Sequence, residues 1–227
     1  DFLFVWLVIG FLRFFVVENY RVPTGSMTPT LVGGRIAQLD LDGDGDEDYA
    51  LLAHGQYEYF ENTPQGFAMT GDWRPTRDQE ARIKSSLRGR YDNILVGKFS
   101  YWFRPPRRGD IAVFKPPDSE YRREAPVFVK RVVGLPGETV SIGPDTRLWV
   151  NGAPVVAPPL FTRLEYAAEY RRGLWFQPRR LAAGEYLFFG DNTLNSSDGR
   201  YWGPTPRDNI RGKVFFRYWP LYAFGFL

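Results

Sequence analysis

Short apolar runs separated by glycine and proline constrain the fold of this chain more than any other feature of its sequence. The 227 residues include 23 glycines and 18 prolines, which tend to end regular elements. Asn151-Gly152 predicts a tight hairpin turn because both residues tolerate positive φ, and the polar segment from about Arg77 to Arg88 predicts a helix. The runs that predict strands are Ile111–Phe114, Val127–Val133, Thr139–Ile142, Leu148–Val150, Tyr186–Phe189 and Val214–Phe216. We therefore predict a mainly β fold with an antiparallel β-sheet or β-barrel-like domain.

The N-terminal segment from Phe2 to Val17 is apolar except for Arg13. Its length is near the lower limit for a membrane-spanning helix, which needs roughly 20 residues. Because the chain opens on Asp1 and not on methionine, we expect the helix to begin before this residue. A cleaved signal peptide would need a basic region and a small-residue cleavage site, and neither is visible; a buried core helix is the other alternative. The segment predicts a transmembrane anchor over residues 1–20, followed by a separate domain over 21–227.

The overall composition excludes several classes of site. The chain has no cysteine, which rules out a thiol nucleophile, a disulfide framework and a cysteine zinc site. A formal charge of +3, carried by scattered basic residues, is too small to indicate a nucleic-acid partner. Contact with a lipid bilayer is the better explanation for that charge.

A serine follows the apolar segment on a predicted tight turn. Pro23 and Gly25 favour a sharp exposed turn at Ser26, and Pro29 prevents a helix from continuing far past Met27. A serine hydroxyl becomes an effective nucleophile only when a positioned base takes its proton. On its own, such a Thr-Gly-Ser sequence is most often an ordinary loop.

A lysine lies on the predicted apolar strand far downstream. Alternation places Phe128, Lys130 and Val132 on one face of the strand, with Arg131 on the other. If the first face is buried, the loss of hydration lowers the pKa of the lysine and allows a neutral amine to act as a base. A lysine that extends from a strand edge to water is the alternative. The only histidine, His54, lies in a segment unrelated to either motif, so a Ser–Lys pair is the candidate catalytic unit.

Further motifs occur in order along the chain. They are Pro23–Leu31, Asp92–Lys98, Arg108–Phe114, Val127–Glu138, Gly190–Gly203 and the terminal Arg217–Pro220. Their sequence and order resemble those of bacterial type I signal peptidases. The resemblance covers most of the chain except roughly residues 33–90 and parts of 154–183.

The resemblance implies a membrane-bound serine endopeptidase that removes signal peptides from exported preproteins without a cofactor for catalysis. It places the catalytic domain on the outer side of the cytoplasmic membrane and implies pockets that select Ala-x-Ala before the cut. By the same resemblance, Ser26 is the nucleophile, Lys130 the general base and Ser196 the residue that orients the lysine amine. The Thr24 hydroxyl and the Ser26 backbone N–H would form the oxyanion hole. The implied supporting residues are Asp191, Asp198 and Arg200, and the implied substrate-cleft residues are Met27, Ile94 and Val132.

The chain departs from the family pattern next to the predicted lysine-orienting serine. Thr193-Leu194 stands where the family usually has Arg-Asp, and Gly199 replaces a usual serine. We therefore expect a salt bridge near the site to be missing, with an effect on local rigidity more than on chemistry.

An acidic segment lies between the serine and the next shared motif. Asp40, Asp42, Asp44 and Asp48 occupy positions 1, 3, 5 and 9 of a possible cation loop, with Gly45 at position 6. An EF-hand needs a glutamate at position 12, where this chain has Leu51. The segment instead resembles one calcium-loop β-hairpin of an FG-GAP repeat. The predicted structural calcium ligands are Asp40, Asp42, Asp44, Asp46 and Asp48.

The domain prediction follows from these motifs. Residues 33–90 form an insertion with a calcium-loop hairpin at 40–63, and residues 141–184 form a smaller β-lobe. Two alternatives to signal-peptide cleavage stay open: a membrane-tethered calcium-dependent binding module on an inactive peptidase scaffold, and a specialised peptidase of the same clan, such as one that processes conjugation pilin.

Overall fold

The computed structural model describes residues 2–11, 16–64, 66–70, 73–117, 127–166 and 177–227. Every strand pair in this part of the chain is antiparallel. The helices are α1 (Phe2–Phe11), α2 (Arg77–Ser86), α3 (Ser100–Phe103) and α4 (Gly199–Trp202). The strands are β1 (Val17–Arg21), β2 (Gly33–Leu39), β3 (Asp48–Ala53), β4 (Gln56–Thr63), β5 (Gly66–Thr70), β6 (Arg88–Tyr91), β7 (Asn93–Gly97), β8 (Ile111–Phe114), β9 (Phe128–Gly134), β10 (Thr139–Ile142), β11 (Leu148–Val150), β12 (Ala153–Pro154), β13 (Arg179–Arg180), β14 (Glu185–Phe189), β15 (Thr205–Pro206), β16 (Ile210–Trp219) and β17 (Gly225–Phe226).

The largest sheet has the strand order β1-β7-β16-β8-β9-β14-β15, with β17 paired to β16. The long strand β16 pairs with β8 through its first residues and with β7 through the rest, and its register shifts along both pairings. Such bulges bend a strand and increase its twist. Apolar clusters lie on both faces of this sheet, one beneath Met27 and the other around Phe114 and Phe188.

A four-stranded sheet, β12-β11-β10-β13, forms a small lobe beside the main sheet. Asn151 and Gly152 make the turn between β11 and β12 with φ values of 51° and 81°, as the sequence predicts. Leu148, Phe161 and Tyr166 of this lobe are buried against Phe189 of β14. The lobe prediction spans 141–184, of which 167–176 lie outside the described residues.

The predicted insertion forms a third sheet, β5-β4-β3-β2-β6. Helix α2 packs on β2 and begins with a capping box in which Thr76 and Gln79 bond each other's backbone N–H. Ile83 of α2 is fully buried with Ala37, Ala50 and Tyr59 of the sheet. The insertion is therefore a folded unit with its own core. Of the predicted range 33–90, residues 65, 71 and 72 lie outside the described part of the chain.

The buried carboxylate of Asp92 joins this third sheet to the main one. It accepts hydrogen bonds from the Val32 N–H at 3.0 Å, from Arg90 Nε at 3.1 Å and from Arg217 Nη1 at 3.1 Å. Its backbone also bonds Val22 and Val32, each at 2.8 Å. Asp92 thereby links the residues on both sides of the serine turn to β6, where the insertion ends.

The N-terminal helix α1 has ten residues, and its Phe2, Phe4 and Trp6 side chains are exposed. Residues 1 and 12–15 of the predicted anchor lie outside the described residues. Within the described ranges, no helix has both the length and the apolar character needed to span a membrane.

Candidate active site

Ser26 lies on a short 3-10 turn, Gly25–Met27, separated from the end of β1 by three residues. The Thr28 N–H closes the turn by donating to the Gly25 carbonyl at 2.9 Å. Gly33 packs so closely on this segment that a Cβ there would lie 2.6 Å from Thr24 N and 2.7 Å from Thr24 O. The glycine at the start of β2 thus lets the insertion hold the backbone of the serine turn, and Ser26 remains half-buried at the surface.

Lys130 reaches this turn from β9. Its Nζ lies 2.6 Å from Ser26 Oγ and 3.1 Å from the Val129 carbonyl. The two residues are 104 positions apart in the chain, so the antiparallel sheet creates this contact. When the amine is neutral, the same geometry allows the serine hydroxyl to donate its proton to Nζ.

Burial lowers the pKa of Lys130 to about 8, because only 3% of the residue is exposed and the ammonium ion loses its hydration. The carboxylates of Asp198 and Asp191 act in the opposite direction, and the Arg200 guanidinium adds to the lowering. A pKa near 8 leaves a substantial neutral fraction near neutral pH, which a general base requires.

Both of these carboxylates are held in buried ion pairs. Arg131 donates to Asp191 at 2.8 and 2.6 Å. Arg200 bonds Asp198 through Nε and Nη2, each at 2.9 Å, and Asp198 also accepts from the Gly190 N–H at 2.9 Å. Because each carboxylate is neutralised by a guanidinium, the negative charge near Lys130 is too small to offset its desolvation.

Thr24 and Ser196, the other proposed catalytic partners, take different positions. Thr24 Oγ1 lies 3.4 Å from Ser26 Oγ, within reach of the nucleophile. The hydrogen bond expected between Ser196 and Lys130 is not formed: Ser196 Oγ is buried without a hydrogen-bond partner among the described residues. Its hydroxyl packs against Gly190 instead, beside the Ser26 carbonyl. An orienting role for Ser196 would require its hydroxyl to turn toward Nζ.

A cleft of about 760 Å³ opens above Ser26 and Lys130. Met27 is among the residues that line it, whereas Ile94 and Val132 are not. Ile94 packs behind Met27, and Val132 packs in the core cluster around Phe114 and Phe188. The assignment of these two residues to the cleft is therefore corrected, since a buried residue on the same strand face as Lys130 can belong to the core instead of the cleft.

The insertion supplies one wall of this cleft, which the sequence motifs did not reveal. Leu51, Leu52, Ala53 and His54, at the end of β3 and the start of its turn, line the cleft together with Ser26 and Lys130. The prediction that His54 is unrelated to either motif is therefore wrong. No periodicity or spacing in the sequence brings the tip of this hairpin to the serine.

Asn192 is a further residue whose role the sequence did not show. Its Nδ2 donates to the Gly25 carbonyl at 3.2 Å and to Glu58 Oε2 at 2.6 Å, and its N–H donates to the Ser26 carbonyl at 3.2 Å. It thus joins the serine turn, the insertion and its own loop. Burial raises the pKa of Glu58, and the bond from Asn192 acts against that rise. The only sequence signal was the presence of Asn192 within the motif Gly190–Gly203.

The two departures from the family pattern have local structural explanations. The Thr193 carbonyl accepts a hydrogen bond from Arg200, so the segment is braced without an Arg-Asp pair. Gly199 packs on β14, where a Cβ would lie 2.7 Å from Leu187 Cδ1 and 2.8 Å from the Phe188 carbonyl. A serine at Gly199 would not fit this backbone.

The acidic loop brings together part of the predicted metal set. Carboxylate oxygens of Asp40, Asp42 and Asp48 lie within 4.8 Å of one another, whereas Asp44 and Asp46 are outside this group. Gly43 and Gly45 adopt φ values of 90° and 95°, and their N–H groups donate to Asp40 at 2.6 and 3.2 Å. The loop lies at one end of the β3–β4 hairpin, opposite the tip that borders the cleft.

Comparisons with known proteins agree on one family. A family model described as signal peptidase, peptidase S26, matches residues 73–219, a range that contains Lys130 and Ser196 but not Ser26. Signal peptidase I of Leptolyngbya laminosa is 39% identical over 137 residues, which cover 59% of this chain and 63% of that protein. Probable signal peptidase I-2 of Synechocystis is 35% identical over 142 residues, covering 60% of this chain and 59% of that protein. This chain therefore spans less than two thirds of either relative.

Among solved structures, a signal peptidase I from Enterococcus faecalis is 28% identical to this chain and has a TM-score of 0.35. The match covers 48% of this chain and 97% of that one.

Proposed function

The chain belongs to the signal peptidase family, peptidase S26, and we propose that it is a serine endopeptidase that cleaves signal peptides from exported preproteins with a Ser–Lys pair. The observation that carries this proposal is the 2.6 Å contact between Lys130 Nζ and Ser26 Oγ, at a lysine whose pKa burial lowers to about 8. The cleft above the pair provides the space for a peptide.

In the proposed mechanism, neutral Lys130 removes the Ser26 hydroxyl proton as Oγ attacks the scissile carbonyl carbon. The negative charge on the carbonyl oxygen would be stabilised by the Ser26 backbone N–H and the Thr24 hydroxyl, as hydrogen-bond donors do in an oxyanion hole. Lys130 then returns the proton to the leaving amine, and the signal peptide stays bound to Oγ as an ester. Attack by water, again with Lys130 as base, releases the acid and restores Ser26.

The proposed location is the outer side of the cytoplasmic membrane, with the bilayer as a partner. Two groups of exposed apolar side chains support it. One is on α1, at Phe2, Phe4 and Trp6, and the other follows β16, at Leu221, Tyr222, Phe224 and Phe226. Aromatic side chains are favoured at the boundary between membrane and water.

The test of this function is cleavage of a preprotein whose signal peptide ends in Ala-x-Ala. We expect the detergent-solubilised chain to cut once, directly after the second alanine, and the product is identified by N-terminal mass spectrometry. A preprotein with a bulky residue in place of that alanine is the matched control and should remain intact. Failure to cut the first substrate, or equal cutting of both, would contradict the proposal; a pilin precursor included in the same assay tests the specialised alternative.

We also propose that the acidic loop holds a structural calcium ion, because it gathers three carboxylates and calcium prefers oxygen ligands. The carboxylate of Asp48 is buried and already accepts bonds from Leu41 N at 3.0 Å, Tyr59 Oη at 2.9 Å and Asn62 N at 2.9 Å. These donors fix its orientation and leave less of its acceptor capacity for an ion. Asp40 and Asp42 would therefore provide most of the ligand oxygen atoms.

Calcium at about 10 mM is expected to raise the free energy of unfolding by about 1–3 kcal/mol. This range assumes a dissociation constant similar to those of extracellular calcium modules. Calorimetric titration and thermal unfolding measure this effect. The Asp42→Asn variant should lose most of it, whereas Asp44→Asn, which removes a carboxylate outside the close group, should keep it. Absence of both heat and stabilisation in the unaltered chain would rule out the site.

A further inference from the structure

The β3–β4 hairpin of the insertion is fixed to the serine turn by two independent contacts. Leu51 packs on Gly25 so closely that a Cβ on Gly25 would collide with the Leu51 side chain. On the neighbouring strand, Glu58 accepts the 2.6 Å hydrogen bond from Asn192, whose amide also donates to the Gly25 carbonyl. The hairpin is therefore positioned relative to Ser26 by the packing of Leu51 on β3 and by the half-buried hydrogen bond of Glu58 on β4.

These contacts give the cleft its wall. Strand β1 and its continuation contribute Tyr20 to Pro23, and the start of β9 contributes Val127 to Val129. Leu51 to His54 line the cleft beside the same serine. A peptide that enters this cleft must therefore pass the hairpin tip as well as the main sheet.

The charged side chains along this cleft have one sign. Of the described residues that line it, Arg21, Lys130 and His54 are basic residue types, and none is acidic. Arg21 lies with its guanidinium 4.1 Å from the centre of the Tyr91 ring. Glu58, whose carboxylate is close enough to His54 to interact with it electrostatically, accepts a hydrogen bond from Asn192 and does not belong to the lining. The cleft thus offers apolar contacts from Leu51 and Leu52, the fixed positive charge of Arg21, and the imidazole N–H of His54, which can donate a hydrogen bond to a carboxylate.

We propose that the tip of the inserted hairpin determines substrate specificity, with His54 favouring peptides that carry an acidic side chain near the scissile bond over peptides that carry a basic one. The proposal rests on the proposed peptidase function and adds a specificity determinant from the insertion. His54 acts on substrate choice and takes no part in the proton transfer between Ser26 and Lys130.

The experiment compares two peptides that differ only in one residue close to the cleavage site, aspartate in one and lysine in the other. His54→Lys and His54→Glu fix opposite charges at the tip, and kcat/KM is measured for both peptides at pH 8. The measured ratio is kcat/KM for the aspartate peptide divided by kcat/KM for the lysine peptide. We expect this ratio to be at least about tenfold higher for His54→Lys than for His54→Glu, because the charge beside the substrate changes sign. Two pairs of peptides are used, one with the charged residue before the scissile bond and one with it after the bond. The pair whose kcat/KM ratio differs more between the two His54 variants identifies the side that the hairpin contacts.

Gln56 provides the matched control. It is the first residue of β4, opposite Ala53 in the β3–β4 pairing, and it is exposed and outside the cleft lining. Gln56→Lys and Gln56→Glu introduce the same charges and should change the ratio less than about twofold, because the side chain at position 56 lies outside the cleft lining and its charge is surrounded by water. Equal ratios for the two His54 variants, or a change as large at Gln56, would overturn the proposal.

The outcome separates this proposal from the function on which it rests. If the unaltered chain cuts neither peptide, the proposed function fails. Specificity can then still be measured as the affinity of fluorescent peptides for Ser26→Ala. The same affinities are measured for the double variants that combine Ser26→Ala with His54→Lys or His54→Glu. A charge preference in binding would then support the hairpin as a peptide-selecting wall, and equal affinities would refute it.

Discussion

Replacing Ser26 by alanine, or Lys130 by methionine, is expected to lower kcat/KM for preprotein cleavage by at least about 10³-fold. Alanine removes the oxygen that forms the ester. Methionine has a similar length to lysine and keeps the apolar packing on β9, but it removes the only base that contacts Ser26 Oγ in the described part of the chain. The rates are measured on the Ala-x-Ala preprotein at pH 8.

The double variant sharpens this prediction. Because the two residues act as one unit, Ser26→Ala combined with Lys130→Met should lose about as much activity as either single variant. Lys213→Met applies the same substitution to a partly exposed lysine on β16, whose Nζ lies 3.3 Å from Asp110, and should retain most activity. A Lys130→Met variant that is correctly folded by circular dichroism and keeps more than a tenth of the activity would disprove the lysine base.

Cleavage is expected to accelerate with rising pH, because the base is the neutral form of Lys130. With a pKa of about 8, lowered first by burial, the neutral fraction grows almost in proportion to hydroxide concentration below pH 8 and levels off above it. We expect kcat/KM to rise about 50-fold from pH 6 to pH 8. Rates on one preprotein, measured in buffers of constant ionic strength, give the profile.

Glu58 is the group to control for, because burial raises its pKa and its carboxylate is bonded to Asn192 at the serine turn. Glu58→Gln keeps an oxygen that accepts the hydrogen bond from the Asn192 amide, and it removes the carboxyl group that titrates. The rise centred on pH 8 should persist in this variant. A profile that is flat from pH 6 to pH 9 in the unaltered chain, or that becomes flat only in Glu58→Gln, would contradict Lys130 as the titrating base.

Several strands were predictable because their patterns are local. Ile111–Phe114, Thr139–Ile142 and Leu148–Val150 form the predicted strands without a change of boundary, and the predicted helix ends at Ser86, two residues early. Apolar runs and bounding glycines or prolines report the conformation of a few consecutive residues. They carry no information on pairing, and the order β7-β16-β8-β9 depends on contacts between distant segments.

The candidate site was predictable only in part, for a similar reason. Residue types and motif order identified Ser26 and Lys130, and the structure places their side chains together. Asn192, Glu58 and His54 were missed because their roles depend on how the insertion packs against the main sheet. Ile94 and Val132 were wrongly assigned to the substrate cleft. Both are buried in the core, and an apolar pattern in the sequence does not distinguish a residue of the core from one that lines a cleft.

The sequence by itself determined the mainly β character of this protein, its family and the identity of a serine and a lysine suited to acyl transfer. These follow from residue chemistry and from patterns that are read along the chain. Only the tertiary structure decided that the lysine loses its hydration beside the serine, that paired carboxylates leave its pKa low, and that an inserted hairpin borders the cleft. Burial and proximity arise when segments distant in the chain pack together, so no local pattern can encode them.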